Sequence, residues 1–401
     1  MPEFDVIVVG AGVMGLGCAY QLAKRGKRVC VIEQSSGGVN LNGASHGESR
    51  IIRLAHSDAA YVPLAIESYK LWRALEHEAG LQLYDNHGLL WLGDQKGTRE
   101  RAGILARFNA PHEVLDNRQI KERYDHLDYD ERWFGLLDYT AGTIYARRCM
   151  EALRAVNEKL GVHFRWGIKV TDWRAFDDRV VVSAGFYAFN ARSVVFAVGG
   201  WLEKFAKGRL SVRVQPVAVP VFYWNIKPQA SGCFETKRKS PNLIISDVWR
   251  NEELFMIPNA DFEGKVKVIG GEEGLIELFV QFGVHMGEDF EIDGLRPTQL
   301  VAINRDITSR HLRQHLPTVD HRVPSVETGC LYANTLDRSF IIDRHPDHPN
   351  VVLASGFSGT GFKFAPAVGA IVADLLDGRR PRFDVRNFAV TREIDLARAK
   401  L

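Results

Sequence analysis

Three glycines near the start of the chain have the spacing of a turn that binds phosphate. Gly10, Gly12 and Gly15 follow a short apolar segment, and apolar residues at helical spacing come directly after them. Glycine lets a backbone approach a pyrophosphate closely, while the first turn of the helix offers free N–H groups and a partial positive charge. Glu33 ends the next apolar segment, where its carboxylate can accept hydrogen bonds from ribose hydroxyls. This arrangement predicts a dinucleotide site.

Both NAD and FAD contain the dinucleotide that such a turn binds. The position of the motif at the beginning of the chain favours FAD. The segment 193–200 also favours FAD, because it predicts a strand that ends at a glycine pair and lies beside the same dinucleotide. Taken alone, that segment fits an ordinary strand and turn equally well. We expect Val170 and Gly199 to contact the cofactor.

The apolar patterns around these residues predict alternating strands and helices. Strands at 4–9 and 28–33, with a helix between them that stops at Gly26, form one βαβ unit. Helical spacing returns at residues 65–78, 149–160 and 362–376. Strand-like segments occur at 180–183, 193–198, 217–224 and 254–257. These patterns predict an α/β fold with a Rossmann-like nucleotide-binding domain.

Composition excludes several classes of protein. The chain has 401 residues, with 51 lysines and arginines against 49 aspartates and glutamates, a balance that argues against a nucleic-acid-binding protein. No apolar run approaches the roughly 18 residues of a membrane span, and the first residues show no secretory signal. The five cysteines are too few for a disulfide framework in a chain of this length. We therefore expect a soluble intracellular enzyme that needs no metal.

Three further segments carry residues suited to chemistry. The first is a polar loop at 43–53, the second is the segment 329–337, and the third comprises 343–346 and 356–363. Judged by its charge alone, the loop could be an ordinary basic turn in solvent. A single cysteine such as Cys330 is usually a small buried apolar residue without a chemical role. The residues singled out in these segments are Ser45, His46, Arg50, Arg53, Cys330, Gly359, Gly361, Phe362 and Lys363.

Together with the N-terminal motif, these segments resemble the monomeric sarcosine oxidase and L-pipecolate oxidase family, within the wider group of D-amino-acid-oxidase-like flavoproteins. The loop is similar to the flavin-contacting loop of that family, and 356–363 resembles its closing signature. The resemblance implies an FAD oxidase that converts a secondary amino acid, L-pipecolate or sarcosine, to its imine and reduces O2 to hydrogen peroxide. It also implies a thioether between Cys330 and the flavin.

The resemblance further implies a role for each basic residue. Arg53 and Lys363 would bind the substrate carboxylate, for which the planar arginine side chain is well suited. His46 and Arg50 would lie close to the flavin ring, where positive charge favours its reduced form. A surface ion pair is the ordinary alternative for any one of them.

The resemblance is weakest at residues 225–320, and there the assignments stay open. Lys267 corresponds best to the lysine that activates oxygen, but strand alternation would send Lys265 to the same face. Phe255 replaces a tyrosine that the family usually carries. Glu272 or Glu273 could meet a cationic amine or sugar hydroxyls of a larger substrate, although a solvated acidic turn is equally consistent.

We expect two interleaved domains. The FAD-binding domain comprises 1–85, 145–215 and 321–401, and the substrate-binding domain, of α+β type around an antiparallel sheet, comprises 86–144 and 216–320. Three alternatives remain. They are the same oxidation of a bulkier amine, such as a fructosyl amino acid or saccharopine, an NAD-linked dehydrogenase, and a nucleotide-binding scaffold without catalysis. The dehydrogenase would lack the C-terminal flavin signature.

The last three residues, 399–401, read Ala-Lys-Leu, a variant of the Ser-Lys-Leu signal that a peroxisomal import receptor binds. Hydrogen peroxide is a product suited to that compartment. We therefore expect a peroxisomal enzyme if the source is eukaryotic and a cytoplasmic one otherwise. We also expect a monomer whose other partners are a small amino acid and O2.

Overall fold

The chain was analysed as a computed structural model. The structure describes residues 2–37, 40–206, 208, 210, 213–234, 240–258, 265–272, 292–294 and 298–394. For residues 231, 232, 265–272 and 299 the description covers the backbone only.

Two kinds of element make up the described chain. The strands are β1 Phe4–Val9, β2 Val29–Glu33, β3 Ser49–Ile52, β4 Tyr84–Asp85, β5 Leu89–Gly93, β6 His112–Asp116, β7 Phe134–Asp138, β8 Gly142–Tyr145, β9 His163–Trp166, β10 Asp172–Ala175, β11 Val180–Ala184, β12 Tyr187–Phe196, β13 Gln215–Asn225, β14 Asn242–Asp247, β15 Glu252–Ile257, β16 Lys265–Glu272, β17 Val326–Asn334, β18 Ile341–His345 and β19 His348–Ser355. The helices are α1 Val13–Lys24, α2 Tyr61–Ala79, α3 Gln95–Arg107, α4 Asn117–Arg123, α5 Ala146–Lys159, α6 Leu202–Phe205, α7 Gln299–His315 and α8 Ala365–Leu376.

The first sheet contains the predicted βαβ unit. Strand β1 lies between β2 and β12, parallel to both, and β12 is also parallel to β19. Strand β9 continues the sheet beyond β2, β18 pairs with β19, and the hairpin β10–β11 joins β12. Strands β1 and β2 are buried along nearly their whole length, as parallel strands covered on both faces should be. The predicted α/β class and Rossmann-like core are confirmed.

Helix α1 packs on α8, the last helix, at a very close crossing. A Cβ atom on Gly369 would lie 2.2 Å from the carbonyl oxygen of Gly17, and one on Gly17 would lie 2.6 Å from the carbonyl oxygen of Ala365. Only glycine allows two backbones to approach so closely. The two ends of the chain therefore meet beside the nucleotide turn. The last helix begins at Ala365, after a 3₁₀ turn at Phe362–Phe364, and so starts three residues later than predicted.

The second sheet has the order β17-β13-β16-β15-β14-β5-β7-β6 and is antiparallel except where β14 pairs with β5. Leu90, Leu254, Met256 and Leu312 belong to an apolar cluster between this sheet and α7. Residues of the opposite face, including Trp91 and Ile244, join the core shared with the first sheet. Strand β17, which carries Cys330, pairs with β13 and so belongs to this second sheet.

A third, small sheet has the order β3-β8-β4 and connects the polar loop to the rest of the molecule. In the described ranges no helix is both long enough and apolar enough to cross a membrane.

Candidate active site

A cleft runs from the end of β2 along the glycine turn to strand β17 and the segment before α8. The predicted site residues that line it are Gly10, Gly12, Glu33, Ser45, His46, Arg50, Val170, Gly199, Cys330, Gly359, Gly361 and Phe362. Gly15 and Lys363 do not line this cleft. One continuous cleft thus brings together residues from both ends and the middle of the chain.

The glycine turn is fixed by backbone geometry. Gly10 has φ +101, and a Cβ atom there would lie 2.5 Å from the carbonyl oxygen of Ala197. A Cβ on Gly15 would lie 1.8 Å from the carbonyl oxygen of Gly10, so Gly15 allows the helix to pack against its own turn. Gly12 is the N-cap of α1 without any side-chain cap, and the first turn of α1 has no acidic residue. The helix therefore presents its positive end to the cleft.

Glu33 closes the other side of the turn. Its Oε2 accepts a hydrogen bond from the N–H of Ala11 at 2.8 Å, and its Oε1 accepts one from the N–H of Ser35 at 2.9 Å. Ser45 comes from the polar loop, and its hydroxyl accepts a hydrogen bond from the N–H of Val13 at 3.0 Å. A helix start whose N-cap residue, Gly12, has no side chain, together with an acid beside it and an elongated cleft, fits a dinucleotide.

Replacing Gly10 with alanine is expected to reduce the flavin content of purified protein to roughly a tenth of the wild-type value or less. Both the positive φ and the contact with Ala197 oppose a Cβ atom. The measurement is the ratio of flavin absorbance to protein absorbance. Gly26→Ala is the matched control, because Gly26 also has a positive φ but no atom lies within 4 Å of its Cβ position. Equal flavin loss in both variants would contradict this role for Gly10.

At the far end of the cleft, the polar loop contacts the strand that carries Cys330. The Arg50 Nη2 atom lies 3.4 Å from Cys330 Sγ and also donates to the carbonyl oxygen of His46 at 2.6 Å. The ring of His46 bridges the loop and the strand, with Nδ1 2.5 Å from the carbonyl oxygen of Gly43 and Nε2 2.8 Å from that of Gly329. The structure thus brings His46, Arg50 and Cys330 together.

The other cysteines have different surroundings. Burial raises the pKa of the Cys18 and Cys30 thiols to about 12, and burial raises the pKa of Cys149 as well. Cys233 is half-buried and does not line the cleft. Cys330 is the one cysteine in the lining of this cleft among the residues that the structure describes.

Tyr332 is a cleft residue that the sequence analysis did not select. It is half-buried beside Gly359, where a Cβ atom would lie 2.8 Å from the Tyr332 ring. Burial raises the pKa of its phenol. Tyr332 follows Cys330 by two positions on β17, so strand alternation could have identified it as a neighbour on the same face. Met14, Trp201 and Phe357 also line the cleft and carried no such signal.

A second group of basic residues lies in the buried core. The Arg53 guanidinium donates from Nη1 to the carbonyl oxygen of Ala55 at 3.0 Å, and burial lowers its pKa to about 10. The Lys363 ammonium donates to the carbonyl oxygen of Thr360 at 2.8 Å. Burial and the nearby Arg53 charge lower the pKa of Lys363 well below its usual value. Neither side chain forms an ion pair with a carboxylate in the described part of the chain.

Fixed neighbours hold these two cations in place. The Asp138 carboxylate accepts hydrogen bonds from the N–H groups of Leu54 and Ala55 at 3.1 and 2.9 Å, which anchors the backbone after Arg53. The Trp72 indole donates to the carbonyl oxygen of Lys363 at 2.7 Å and stacks against the ring of Phe362. An arginine and a lysine held this rigidly next to each other form a site for an anion.

His56 is a third buried basic residue, absent from the predictions. It packs against Tyr61 and Phe364. Burial, together with the Arg53 and Lys363 charges, lowers its pKa well below the usual value, so the imidazole is neutral near pH 7.

The structure describes fewer of the predicted residues on the second sheet. Phe255, on β15, is partly buried against the core that the two large sheets share. Lys267, on β16, pairs with Ile257 and Tyr223. The side chains of Lys265, Lys267 and Glu272 lie outside the described atoms, and Glu273 and residues 399–401 lie outside the described residues.

Comparisons with known proteins agree with this geometry. Residues 5–375 match the family model described as FAD dependent oxidoreductase. The peroxisomal sarcosine oxidase of Homo sapiens is 32% identical over 404 residues, covering 99% of this chain and 98% of that protein. The monomeric sarcosine oxidase of Bacillus sp. (strain B-0618) is 29% identical, covering 97% of this chain and 96% of that protein.

A solved structure gives the same result for the fold. NikD, described as an unusual amino acid oxidase essential for nikkomycin biosynthesis, is 26% identical with a TM-score of 0.77. The match covers 97% of this chain and 98% of that chain.

Proposed function

Because the chain belongs to the family of FAD-dependent oxidoreductases, and within it to the group of the sarcosine oxidases, we propose that it oxidises a secondary amino acid. The expected substrate is L-pipecolate or sarcosine, the products are the imine and hydrogen peroxide, and O2 is the electron acceptor. The observation that carries this proposal is the buried pair Arg53 and Lys363, which has no partner carboxylate in the described ranges.

In this proposal the two cations hold the substrate by its carboxylate. Arg53 offers the N–H groups that are not bonded to Ala55, and Lys363 adds a second charge when the bound carboxylate favours its ammonium form. Fixing the carboxylate restricts where the amine and its neighbouring carbon can lie, and such positioning is a large part of catalysis. A bound FAD would supply the acceptor for the hydride equivalent that leaves this carbon, with O2 as the final electron acceptor.

The residues at the far end of the cleft would hold the flavin ring. Arg50 and His46 supply basic side chains on one side, and Tyr332 and Phe362 supply aromatic faces. We propose that Cys330 forms the thioether with the flavin, supported by its place in the cleft and by the Arg50 guanidinium beside its sulfur. We also propose Lys267 as the residue that promotes the reaction with O2, an assignment that rests on the family resemblance and has Lys265 as its alternative.

The low pKa of Lys363 leads to a pH-dependent affinity for carboxylates. In the free enzyme, burial and Arg53 favour the neutral amine, whereas a bound carboxylate favours the ammonium. Between the lower free pKa and the higher bound pKa, binding takes up a proton, so the affinity for acetate is expected to fall by up to about tenfold per pH unit as pH rises. Titrations of the flavin absorbance with acetate from about pH 6 to pH 10 measure this slope.

Lys363→Met is the control for that titration. It is expected to bind acetate more weakly and with no slope, because the titrating group is gone. A wild-type affinity that stays constant across the whole range would contradict the role of Lys363.

Domain organisation and location are further proposals. We propose that 1–85, 145–215 and 321–401 form the FAD-binding domain and that 86–144 and 216–320 form the substrate-binding domain, with β17 joining the two. A monomer is proposed from the similarity to monomeric sarcosine oxidases.

Peroxisomal import through residues 399–401 is proposed for a eukaryotic source, and fusing 390–401 to a fluorescent protein tests it. Diffuse cytosolic fluorescence would refute it.

The substrate assignment is tested by a panel of amines scored for peroxide formation. The panel contains sarcosine, both enantiomers of pipecolate, a fructosyl amino acid and saccharopine. The largest kcat/KM is expected for sarcosine or L-pipecolate. A preference for the fructosyl amino acid or saccharopine would leave the chemistry intact and assign the enzyme to a larger substrate. Anaerobic reaction with no bleaching of the flavin by any amine would refute the oxidase.

A further inference from the structure

Two guanidinium groups lie over one indole ring at the edge of the buried cationic site. The Cζ atom of Arg53 is 4.6 Å from the centroid of the Trp91 ring, and the Cζ atom of Arg101 is 4.4 Å from the same centroid. Arg53 comes from the residue after β3, Trp91 from β5 and Arg101 from α3. Three separate elements therefore meet at this ring.

The indole is held in a fixed orientation. Trp91 is buried, and its Nε1 donates a hydrogen bond to the hydroxyl of Ser246 at 2.9 Å. Ser246 lies on β14, the strand that pairs with β5. With the indole held by its N–H, the face of the ring presents a negative potential that attracts a guanidinium group. A guanidinium stacked on this face keeps its N–H groups free to donate hydrogen bonds.

This contact explains how Arg53 is held without an ion pair. A carboxylate partner would fix the guanidinium but would occupy the N–H groups that a substrate carboxylate needs. Among the described residues the Arg53 guanidinium makes one hydrogen bond, to Ala55, and its charge is balanced at longer range by Glu253 and Asp138. Contact with the Trp91 ring fixes the orientation of the guanidinium, which this one hydrogen bond alone would not determine. The other N–H groups of Arg53 have no partner in the described part of the molecule.

Arg101 also lies over the Trp91 ring, and like Arg53 it is held without an ion pair in the described residues. Its Nε atom is buried and has no hydrogen-bond partner among the described residues. Burial lowers the pKa of Arg101, while the nearby Asp94 and Glu253 carboxylates favour its charge. Arg101 thus covers the indole and adds positive potential next to Arg53.

We propose that Trp91, covered by Arg101, is a positioning residue that orients Arg53 toward the carboxylate of the substrate. The inference rests on the proposed function, because it requires that Arg53 bind that carboxylate. Trp91 itself does not need to touch the substrate. Its removal should therefore weaken the binding of carboxylates and leave the chemical step nearly unchanged.

The test uses the flavin-loaded variants Trp91→Leu and Trp91→Phe. Trp91→Leu is expected to raise both the KM for sarcosine and the Kd for acetate by about tenfold, with kcat within about twofold of wild type. Trp91→Phe retains a smaller ring face and should give an intermediate shift of about threefold. If Trp91→Leu does not fold, the same measurements on Trp91→Phe decide the question.

Trp249→Leu is the matched control. Trp249 also has a guanidinium over its ring, with Arg132 Cζ at 5.0 Å, but it is partly exposed and belongs to the apolar contacts around Trp133. It should leave the KM for sarcosine and the Kd for acetate unchanged.

Four results would overturn the inference. An unchanged KM and Kd in the Trp91 variants would show that Arg53 is oriented without the indole. Equal shifts in Trp249→Leu, or a loss of kcat and flavin content with constant KM, would show a structural effect instead. A wild-type enzyme that neither oxidises an amine nor binds acetate would overturn the proposed function and the inference together.

Discussion

Replacing Arg53 with glutamine is expected to lower kcat/KM for sarcosine by roughly 10²- to 10³-fold, as for the loss of one partner in a buried charge pair. Arg53 is 7% exposed and forms no ion pair in the described ranges, so a bound carboxylate would be its main partner. Glutamine retains the approximate length and polarity but loses the charge and the fork of donors. Steady-state peroxide formation measures the effect.

A neutral substrate analogue shows whether that loss comes from charge. N-methylglycinamide resembles sarcosine but carries no carboxylate, so Arg53→Gln should change its kcat/KM by no more than about threefold. Arg53→Lys should fall between wild type and Arg53→Gln, because lysine keeps the charge without the planar geometry. If both substrates lose activity equally, Arg53 serves the fold and does not bind the carboxylate.

The second large effect is expected at Cys330. Cys330→Ala should yield protein that still binds FAD but releases all of it on acid precipitation, whereas the wild type should keep its yellow colour in the precipitate. The physical reason is that Cys330 is the cleft cysteine beside the Arg50 guanidinium, with 3.4 Å between Nη2 and Sγ. Absorbance of the supernatant and the mass of the intact denatured chain provide the measurement.

Cys149→Ala is the matched control, because Cys149 is buried away from the cleft and burial raises the pKa of its thiol. That variant should retain covalent flavin. Release of free FAD from the denatured wild type would refute the thioether and leave the remaining site intact. Arg50→Met should slow covalent attachment if the guanidinium assists it.

The parts of the fold that depend on neighbours in sequence could be predicted. The glycine turn, helix α1 and the buried strands β1 and β2 follow from local apolar spacing and from glycine geometry, and the structure confirms them. The association of the polar loop with the segment around Cys330 could be expected only from family resemblance, because His46 and Gly329 are far apart in the chain.

The residues that support the cationic site could not be found in this way. Three different elements supply them: Trp91 contacts Arg53, Arg101 lies over Trp91, and Asp138 binds the backbone N–H groups of Leu54 and Ala55. On the sequence each reads as an ordinary strand or helix residue, since apolar periodicity says nothing about which elements become neighbours. The role of His56 could not be predicted from the sequence either. Its neutral state depends on burial and on the nearby Arg53 and Lys363 side chains, which only folding brings close.

The close crossing of α1 and α8 has a consequence for synthesis on the ribosome. In the first sheet β1 pairs with β12, and β12 pairs with β19. Gly17 of α1 lies against Gly369 of α8. The glycine turn is synthesised within the first few seconds of translation. The helix α8 that packs against α1 is synthesised only with the last tenth of the chain. Contacts between such distant segments form slowly. The nascent protein is thus expected to acquire its flavin only after release.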